Sequence, residues 1–557
     1  MSDRENPNIN KVKGQFADGK LDRREFLRYS TLLGLSSAAA YAFVGKVTGE
    51  SFVSPARAAM PMGGTVRIGM AVPELNDPHT FSWIFDSNIT RNVVEYMTLT
   101  GHDNVTRPAL LSHWEASDDL KTWDLHIKDI KWHNGRPLIA EDLAWNIAHV
   151  LNPETGSSVV GMMKGYMLDE YDTGNKKDDG SALMSTRLWD ANAIEVVSDK
   201  ILRLNIKEPN IAIPEHLFHY PFAILDPEEG GKFGVGSNGT GAFDLVEHRV
   251  GEKAVLKARK DYWGDGPFID ELVFVDLGDD PSATIGALAS RQVHGIYQGD
   301  ISQVAAIDAM PHIELITAST GATAVARVQA DQKPFDDPRV RKAMRLSVDT
   351  QRVLDLAYQG KGDPGEHHHV APVHPDYKKL SAAGRDVAAA KALLADAGHP
   401  NGIDTEIAVN NNSPWEVNAV QAMAEQWKDA GIRVKINVMP GAQFWGVWDK
   451  VPFGMTSWAH RPLGFMVLGL AYRTGVPWNE SHYSNSEFDA LLSKAEGTLD
   501  LEKRREIIGQ LEDIMLEDGP ITQPLWRNVF GARDKNLLGF DKHPTEYIFG
   551  NMLALKT

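Results

Sequence analysis

No cysteine occurs anywhere in the 557 residues. Its absence removes disulfides, thiolate metal sites, iron–sulfur clusters and a cysteine nucleophile together. A lipid anchor on an N-terminal cysteine is excluded as well, so the mature protein is expected to be free in its compartment. A thiol-free chain also suits an oxidising compartment. Positive charge is in deficit, with 57 Lys and Arg against 75 Asp and Glu, a formal charge of −18. Residues 1–58 hold nine of the basic and six of the acidic residues, which leaves −21 on the remainder. So acidic a body is repelled by nucleic acid and by anionic lipid, and neither is expected as a partner. Long apolar runs are missing too. The stretch 29–44, with Ser and Gly inside it, falls short of the ~20 residues that span a bilayer. Catalytic signatures are equally scarce: there is no G-x-S-x-G, no H-E-x-x-H and no phosphate loop. Gly234-Val235-Gly236 and Gly239-Thr240-Gly241 are glycine-dense, yet neither opens a helix with Gly-Lys-Ser/Thr.

What is present begins with a leader. A polar lead precedes Asp22-Arg23-Arg24-Glu25-Phe26-Leu27-Arg28, the apolar stretch follows, and Ala56-Arg57-Ala58 supplies a small-x-small cleavage pattern. Charge, apolar run and cleavage site stand in the order of an export signal. Paired arginines followed by Phe-Leu resemble the twin-arginine type. The competing reading is a basic amphipathic start to a cytoplasmic protein. Export predicts a mature protein in the periplasm.

The chain is too long for one core, and two or three domains are expected. From residue 63 to about 276 strand signals dominate: alternation over 65–70 and 123–127, a hairpin of 193–197 with 201–206, and strands over 241–246, 252–258 and 271–276. A helix over 140–151 interrupts them, closed by Asn152-Pro153. Later the pattern changes. A strand at 407–409, a helix over 415–430 with Val417, Val420, Met423 and Trp427 on one face, Gly431, and a strand over 432–438 form a parallel βαβ unit. Further helices are read over 349–358, 387–397 and 502–517, each followed by a glycine. A strand-rich lobe followed by an α/β lobe results, and a crevice between lobes is a usual place for a small ligand.

Four segments then resemble one family, the dipeptide-, oligopeptide- and nickel-binding proteins of bacterial ABC importers (solute-binding proteins of family 5). They are 108–111 with Trp114-Glu115-Ala116-Ser117-Asp118-Asp119; 127–142 with Trp132-His133-Asn134-Gly135; Gly239-Thr240-Gly241-Ala242-Phe243 with Asp261-Tyr262-Trp263; and Phe335-Asp336-Asp337-Pro338-Arg339-Val340-Arg341-Lys342-Ala343. Each has a structural reading: a tight turn at Gly135, a bend needing positive φ at Gly239 and Gly241, and a turn into a helix at Asp337-Pro338. The resemblance implies an α/β, two-lobe, type II periplasmic binding-protein fold of the large peptide-binding class. Its first lobe would comprise residues 59–98, 215–320 and 525–557, with an extra subdomain over 99–214, and its second lobe 321–524. Two hinge segments are expected, near Gly321 and Pro524.

In peptide-binding members a Trp-containing loop supplies an aspartate for the ligand's amino terminus. The matching stretch here, Thr456 to Gly464, keeps Trp458 but follows it with His460 and Arg461 rather than an acid. A buried ammonium without a carboxylate is costly, whereas Arg461 suits a carboxylate or phosphate. The expected ligand is therefore an anion whose amine is blocked or absent: an opine-like compound, an acylated or cyclised peptide, or another organic acid. Pairing of Arg461 with a neighbouring acid is the plainer alternative. Asn411, Trp445, His79 and Trp83 are further ligand-contact candidates, for which turn formation or core packing is the competing role. His367-His368-His369 reads first as an exposed polar loop, and second as a metal-binding turn. No cofactor is implied. The function expected is the substrate-binding component of an ABC importer: a monomer, not an enzyme, which passes its ligand to an inner-membrane permease. An exported hydrolase, or a binder serving chemoreception or a chaperone-like role, are the alternatives.

Overall fold

A computed structural model describes residues 7–35, 37–48, 60–176, 180, 182–278, 280–380 and 384–556. The cleavage pattern at Ala56–Ala58 lies outside them. The chain divides into two units: residues 1–297, 310–314 and 532–557 form the first, and 298–309 with 315–531 the second. Among the described residues, no helix is long and apolar enough to cross a membrane.

In the first unit, the central sheet runs Phe243–Arg249, Lys253–Ala258, Glu271–Val275, Thr65–Gly69, Gly295–Ile296. The outer strands pair antiparallel, and Thr65–Gly69 lies parallel to both of its neighbours. A second sheet, ordered Leu111–Ala116, Thr122–Ile127, Ile201–Asn205, Ile194–Ser198, contains the expected hairpin. The Ala140–Leu151 helix begins and ends where its pattern predicts. Its N-terminus shows why the 127–142 signature holds together. Asp142 accepts from the Trp132 indole at 3.0 Å, from the Ile139 backbone N–H at 3.1 Å and from the Arg136 guanidinium at 2.8 Å. Three donors of different origin thus pin a buried carboxylate at the positive end of the helix. The N-terminal segment forms the helices Pro7–Ala17, Arg23–Leu32 and Ser37–Thr48. Arg23 and Arg24 are exposed, while Arg28 lies 3.5 Å from Glu215 and the Leu32 carbonyl accepts from the Trp114 indole at 3.0 Å.

The second unit carries the expected βαβ motif. Ile403–Asn410 pairs parallel with Ile432–Met439 in unbroken register, joined through the Pro414–Asp429 helix. Trp415, Val420, Met423 and Trp427 of that helix enter the core, and the Trp427 indole donates to the Met344 carbonyl at 2.9 Å. Gly431, at φ +86°, closes the helix as expected. The sheet order is Ile313–Val328, Phe453–Trp458, Ile403–Asn410, Ile432–Met439, so the last strand is an edge and its Val438 is 49 % exposed. Asp337 caps the Pro338–Leu346 helix through the Arg339 N–H. Arg339 pairs with Asp337 and Arg341 with Asp518, as solvated or ion-paired arginines should.

One expectation is corrected. Gly135 does occupy the left-handed region, at φ +88°, but Gly239 and Gly241 do not. They are glycines because backbone presses on them. A Cβ on Gly239 would stand 1.9 Å from the Val93 carbonyl oxygen, and one on Gly241 2.6 Å from that of Asn92. The same close approach lets Gly241 N–H donate to Val93 at 2.8 Å and Gly239 accept from His133 N–H at 2.7 Å. Gly239→Ala is therefore expected to destabilise the protein by ~1–3 kcal/mol or more through overpacking. Gly135→Ala, with open space around it, should cost only the ~1–2 kcal/mol of a left-handed L-residue. Denaturant unfolding of both variants checks the order.

Candidate functional site

Trp458 ends the strand Phe453–Trp458, opposite Thr323 in the antiparallel ladder. Its side chain is buried and its indole donates to Glu480 Oε1 at 3.2 Å. The other oxygen of Glu480 accepts from Arg327 Nε and from the Thr456 hydroxyl. Arg327 is fully buried, and its remaining nitrogens donate to the carbonyls of Trp448 and Val451. Burial raises the Glu480 carboxyl above its ordinary range and Arg327 opposes that rise. A second buried carboxylate, Glu416, is also held by protein donors, the Ser457 hydroxyl and the Asn410 amide. Desolvation pushes it up to about 7.

His460 and Arg461 follow in the same loop, and both are buried. His460 Nδ1 accepts the Gly321 N–H at 3.1 Å, and its ring stacks on His374 with centroids 5.7 Å apart. Arg461 Nη1 donates to the carbonyls of Ala459 and His460, each at 3.1 Å.

The histidine run is not an exposed loop: His368 and His369 are each 1 % exposed. Backbone geometry turns the run inward. His367 and His369 adopt φ of +64° and +66°, conformations that cost of order 1–3 kcal/mol each and persist only where the surroundings impose them. Gly365 admits the Gln523 carbonyl, which a Cβ would meet at 2.2 Å. His367 Nδ1 then accepts the Gln523 N–H at 3.0 Å, and His369 Nδ1 lies 2.7 Å from the Tyr472 hydroxyl. The His369 ring faces Trp458 at 5.6 Å and Trp526 at 6.1 Å. Burial holds all three imidazoles below their ordinary range, His367 and His368 at about 3, so the run is neutral at physiological pH. Beneath it, His368 lies 3.7 Å from Glu366 and 3.9 Å from Glu512.

Trp458, His460, Arg461 and the histidine run thus belong to one buried cluster of the second unit. Asn411 is exposed, its N–H taken by the Met439 carbonyl at 3.0 Å. Its neighbour Asn410 is the buried one. Trp445 is half-buried among Phe444 and Trp448. His79 and Trp83 belong to the first unit, where His79 is fully buried and Trp83 stacks on Phe85. Among the described residues, two groups bring three possible metal ligands together: Asp77, His79 and His149, and His113, Glu115 and His126. The 367–369 run is in neither.

Sequence reasoning missed four members of the cluster: Tyr472, Glu480, Gln523 and Trp526. No periodicity marks them, because strand pairing and the left-handed turn bring them together. Gln523 and Trp526 differ from the others in their polar atoms. Both are buried, and neither the Gln523 amide nor the Trp526 indole makes a hydrogen bond within the protein. Polar groups buried in that way are costly unless a partner arrives.

Glu512 gives the cluster a pH signature. Burial, reinforced by Glu366, Asp376 and Asp513, pushes its carboxyl from 4.5 up to about 9. A raised folded-state pKa contributes stability that is complete below the unfolded value and is lost as pH rises toward the folded one. Relative to Glu512→Gln, the wild type should lose more than about 1 kcal/mol between about pH 5 and pH 8. The buried histidines titrate alike in both proteins and cancel in the difference. Parallel stability curves from denaturant unfolding would contradict the assignment.

The family model of bacterial extracellular solute-binding proteins, family 5 Middle, matches residues 105–473. The dipeptide-binding protein DppE of Bacillus subtilis is 22 % identical over 488 residues, covering 82 % of this chain and 85 % of that protein. The glutathione-binding protein GsiB of Salmonella typhi is 22 % identical over 490 residues, 83 % of this chain and 89 % of its own. Among solved structures, the periplasmic binding protein AgaA from A. tumefaciens R10, in complex with agropinic acid, superposes with a TM-score of 0.77 at 21 % identity over 89 % of this chain and 99 % of that one. DppA from Helicobacter pylori, in complex with the peptide STSA, gives 0.75 at 18 % identity with the same coverage. The fold is therefore that of the type II periplasmic binding proteins. With a match across more than half of its length, the chain belongs to the bacterial extracellular solute-binding proteins of family 5, the substrate-binding components of ABC importers.

Proposed function

We propose that the protein is a periplasmic, monomeric binding component for an anionic small molecule, an organic acid or a peptide-like compound whose amine is blocked or absent. It hands that ligand to an ABC permease and leaves it chemically unchanged. The state of the buried acids carries this reading. Glu480 is occupied by Arg327, Thr456 and Trp458, and Glu416 by Ser457 and Asn410. To reach either of these two acids, a ligand ammonium would have to displace those donors. The groups with hydrogen-bonding capacity in hand include donors: the Trp526 indole, which can only donate, and the Gln523 amide. The buried Arg461 guanidinium stands in the same cluster, close enough to His369 to depress its basicity. A carboxylate matches that set. Relatives bear names of both kinds, dipeptide and glutathione binders on one side and an agropinic acid complex on the other.

Arg461→Ala should weaken a carboxylate ligand by about 2–5 kcal/mol, the scale of removing one partner of a buried charged hydrogen bond. Trp526→Phe should weaken it less, by about 1–3 kcal/mol. The ligand is found first by a thermal-shift screen of opines, organic acids, N-acylated peptides and free peptides. Unchanged carboxylate affinity in Arg461→Ala, or a clear preference for free-amine peptides, would overturn the anion assignment.

Export by the twin-arginine route is part of the same proposal. Its support is the exposed Arg23-Arg24 pair before Phe26 and Leu27. Replacing both arginines by lysine keeps the charge and should retain the protein in the cytoplasm. Cell fractionation reads the outcome, and unaltered periplasmic recovery would refute the route.

A further inference from the structure

Asp77, His79 and His149 lie together in the first unit. Asp77 caps the short turn Pro78–Thr80 by accepting the His79 N–H on Oδ1 at 2.9 Å. That leaves Oδ2 directed at His149, whose Nε2 is 3.6 Å away. His149 sits in the last turn of the Ala140–Leu151 helix, its ring stacked on Trp145 with centroids 4.7 Å apart. His79 is fully buried, and its Nε2 lies 2.8 Å from the Ala223 carbonyl oxygen.

That last contact fixes the tautomer. A ring nitrogen at hydrogen-bonding distance from a carbonyl must carry the hydrogen, so the neutral His79 ring directs the lone pair of Nδ1 the other way. It points at His149 Nδ1, 2.8 Å distant. An imidazole whose outer nitrogen donates to a backbone carbonyl is oriented as metal-bound histidines are. The three facing atoms, His79 Nδ1, a His149 nitrogen and an Asp77 oxygen, are all electron-pair donors, and all lie within 4.8 Å of one another. One cation among them satisfies all three.

We propose that Asp77, His79 and His149 form a binding site for a divalent transition-metal ion, with zinc the best match. Two imidazoles and a carboxylate are borderline ligands of the type zinc takes, and three protein ligands leave a fourth position for water. Tetrahedral bonds of ~2.0–2.1 Å put ligand nitrogens about 3.3 Å apart, so the two rings must part from their 2.8 Å contact, and His149, which shows Nδ1 to His79 and Nε2 to Asp77, must turn to bring one nitrogen to the ion. Access exists from one side. The side chains of Asp77 and His149 are 28 % and 22 % exposed, and beside them is Gly231, where a Cβ would come within 3.2 Å of Asp77 Oδ2 and 3.1 Å of His149 Cε1. A bound ion ties the turn that follows the first strand to the end of the 140–151 helix. The role is a structural staple, independent of which solute the protein carries.

The test uses full-length, chelator-treated protein, titrated with Zn²⁺ by calorimetry and with Co²⁺ by visible spectroscopy. The expected result is one equivalent bound, intense d–d bands of tetrahedral cobalt, and a higher unfolding midpoint with zinc. Asp77→Asn, which keeps the turn's cap, and His149→Gln should each weaken binding at least about tenfold, the lower end of what even outer-sphere changes produce. His113→Gln, in the other three-ligand group, should leave binding intact. Absence of tetrahedral cobalt bands in the wild type would overturn the site, and would mean that a proton shared by the two imidazoles is the cation. Binding that survives both Asp77→Asn and His149→Gln, or that His113→Gln abolishes, would overturn it equally.

Discussion

Glu480 and Arg327 lie where water does not reach, and the pair organises the second unit's buried cluster. A carboxylate in that position needs donors on every side, or desolvation drives it to protonate. Arg327 supplies one, and by reaching the carbonyls of Trp448 and Val451 it also ties the segment before the Phe453–Trp458 strand to the Ile313–Val328 strand. The Thr456 hydroxyl and the Trp458 indole supply the rest. Trp458 is thereby set at a fixed height at the end of its strand, and its ring becomes a wall for His369. The orientation of the indole follows from satisfying a charge, and the position of the histidine run follows from the indole.

The rest of the cluster is buried by a different device, neutrality. His367, His368 and His369 are held unprotonated, and Glu512 is held protonated. Each avoids the cost of a bare internal charge by giving up its ionised form. A chain whose formal charge is −18 thus keeps its acidity on the surface. Inside, it keeps paired charges, as at Arg327–Glu480 and Arg473–Glu496, or neutral titratable groups. Buried arginines also lean on the backbone: Arg345 donates to the Leu516 and Gly519 carbonyls, and Arg461 to those of Ala459 and His460.

The secondary structure was legible where hydrophobic periodicity and end signals agree. The Ala140–Leu151 helix, the 194–205 hairpin and the βαβ motif over 403–439 all combine a regular apolar repeat with a glycine, proline or short polar turn at the boundary. Family resemblance was legible for a related reason, since the signature residues serve local geometry. Trp132 and Asp142 close one turn onto one helix, and Asp337 caps another. The glycines were legible as glycines but not in their purpose. Whether a position needs left-handed φ, as Gly135 does, or space for a passing carbonyl, as Gly239 does, depends on a strand or loop distant in the chain.

Within the candidate site, the departure from an acid-bearing loop at His460 and Arg461 could be seen from the residues alone, because chemistry at adjacent positions requires no knowledge of distance. Burial of His367–His369 could not, since three histidines in a row look polar and solvated until two left-handed backbone angles fold them inward. Nor could Asn410 be told from Asn411, where one residue of strand alternation decides which side chain enters the interior. Gln523, Trp526, Tyr472 and Glu480 reach the cluster through long-range pairing, and His79 meets His149 across 70 positions of chain. By itself the sequence determined charge, local elements and family, all of which are set by composition and short-range order. Only the tertiary structure decided which polar groups are buried together, and with them which charges must be paired or suppressed, because desolvation acts through space and not along the chain.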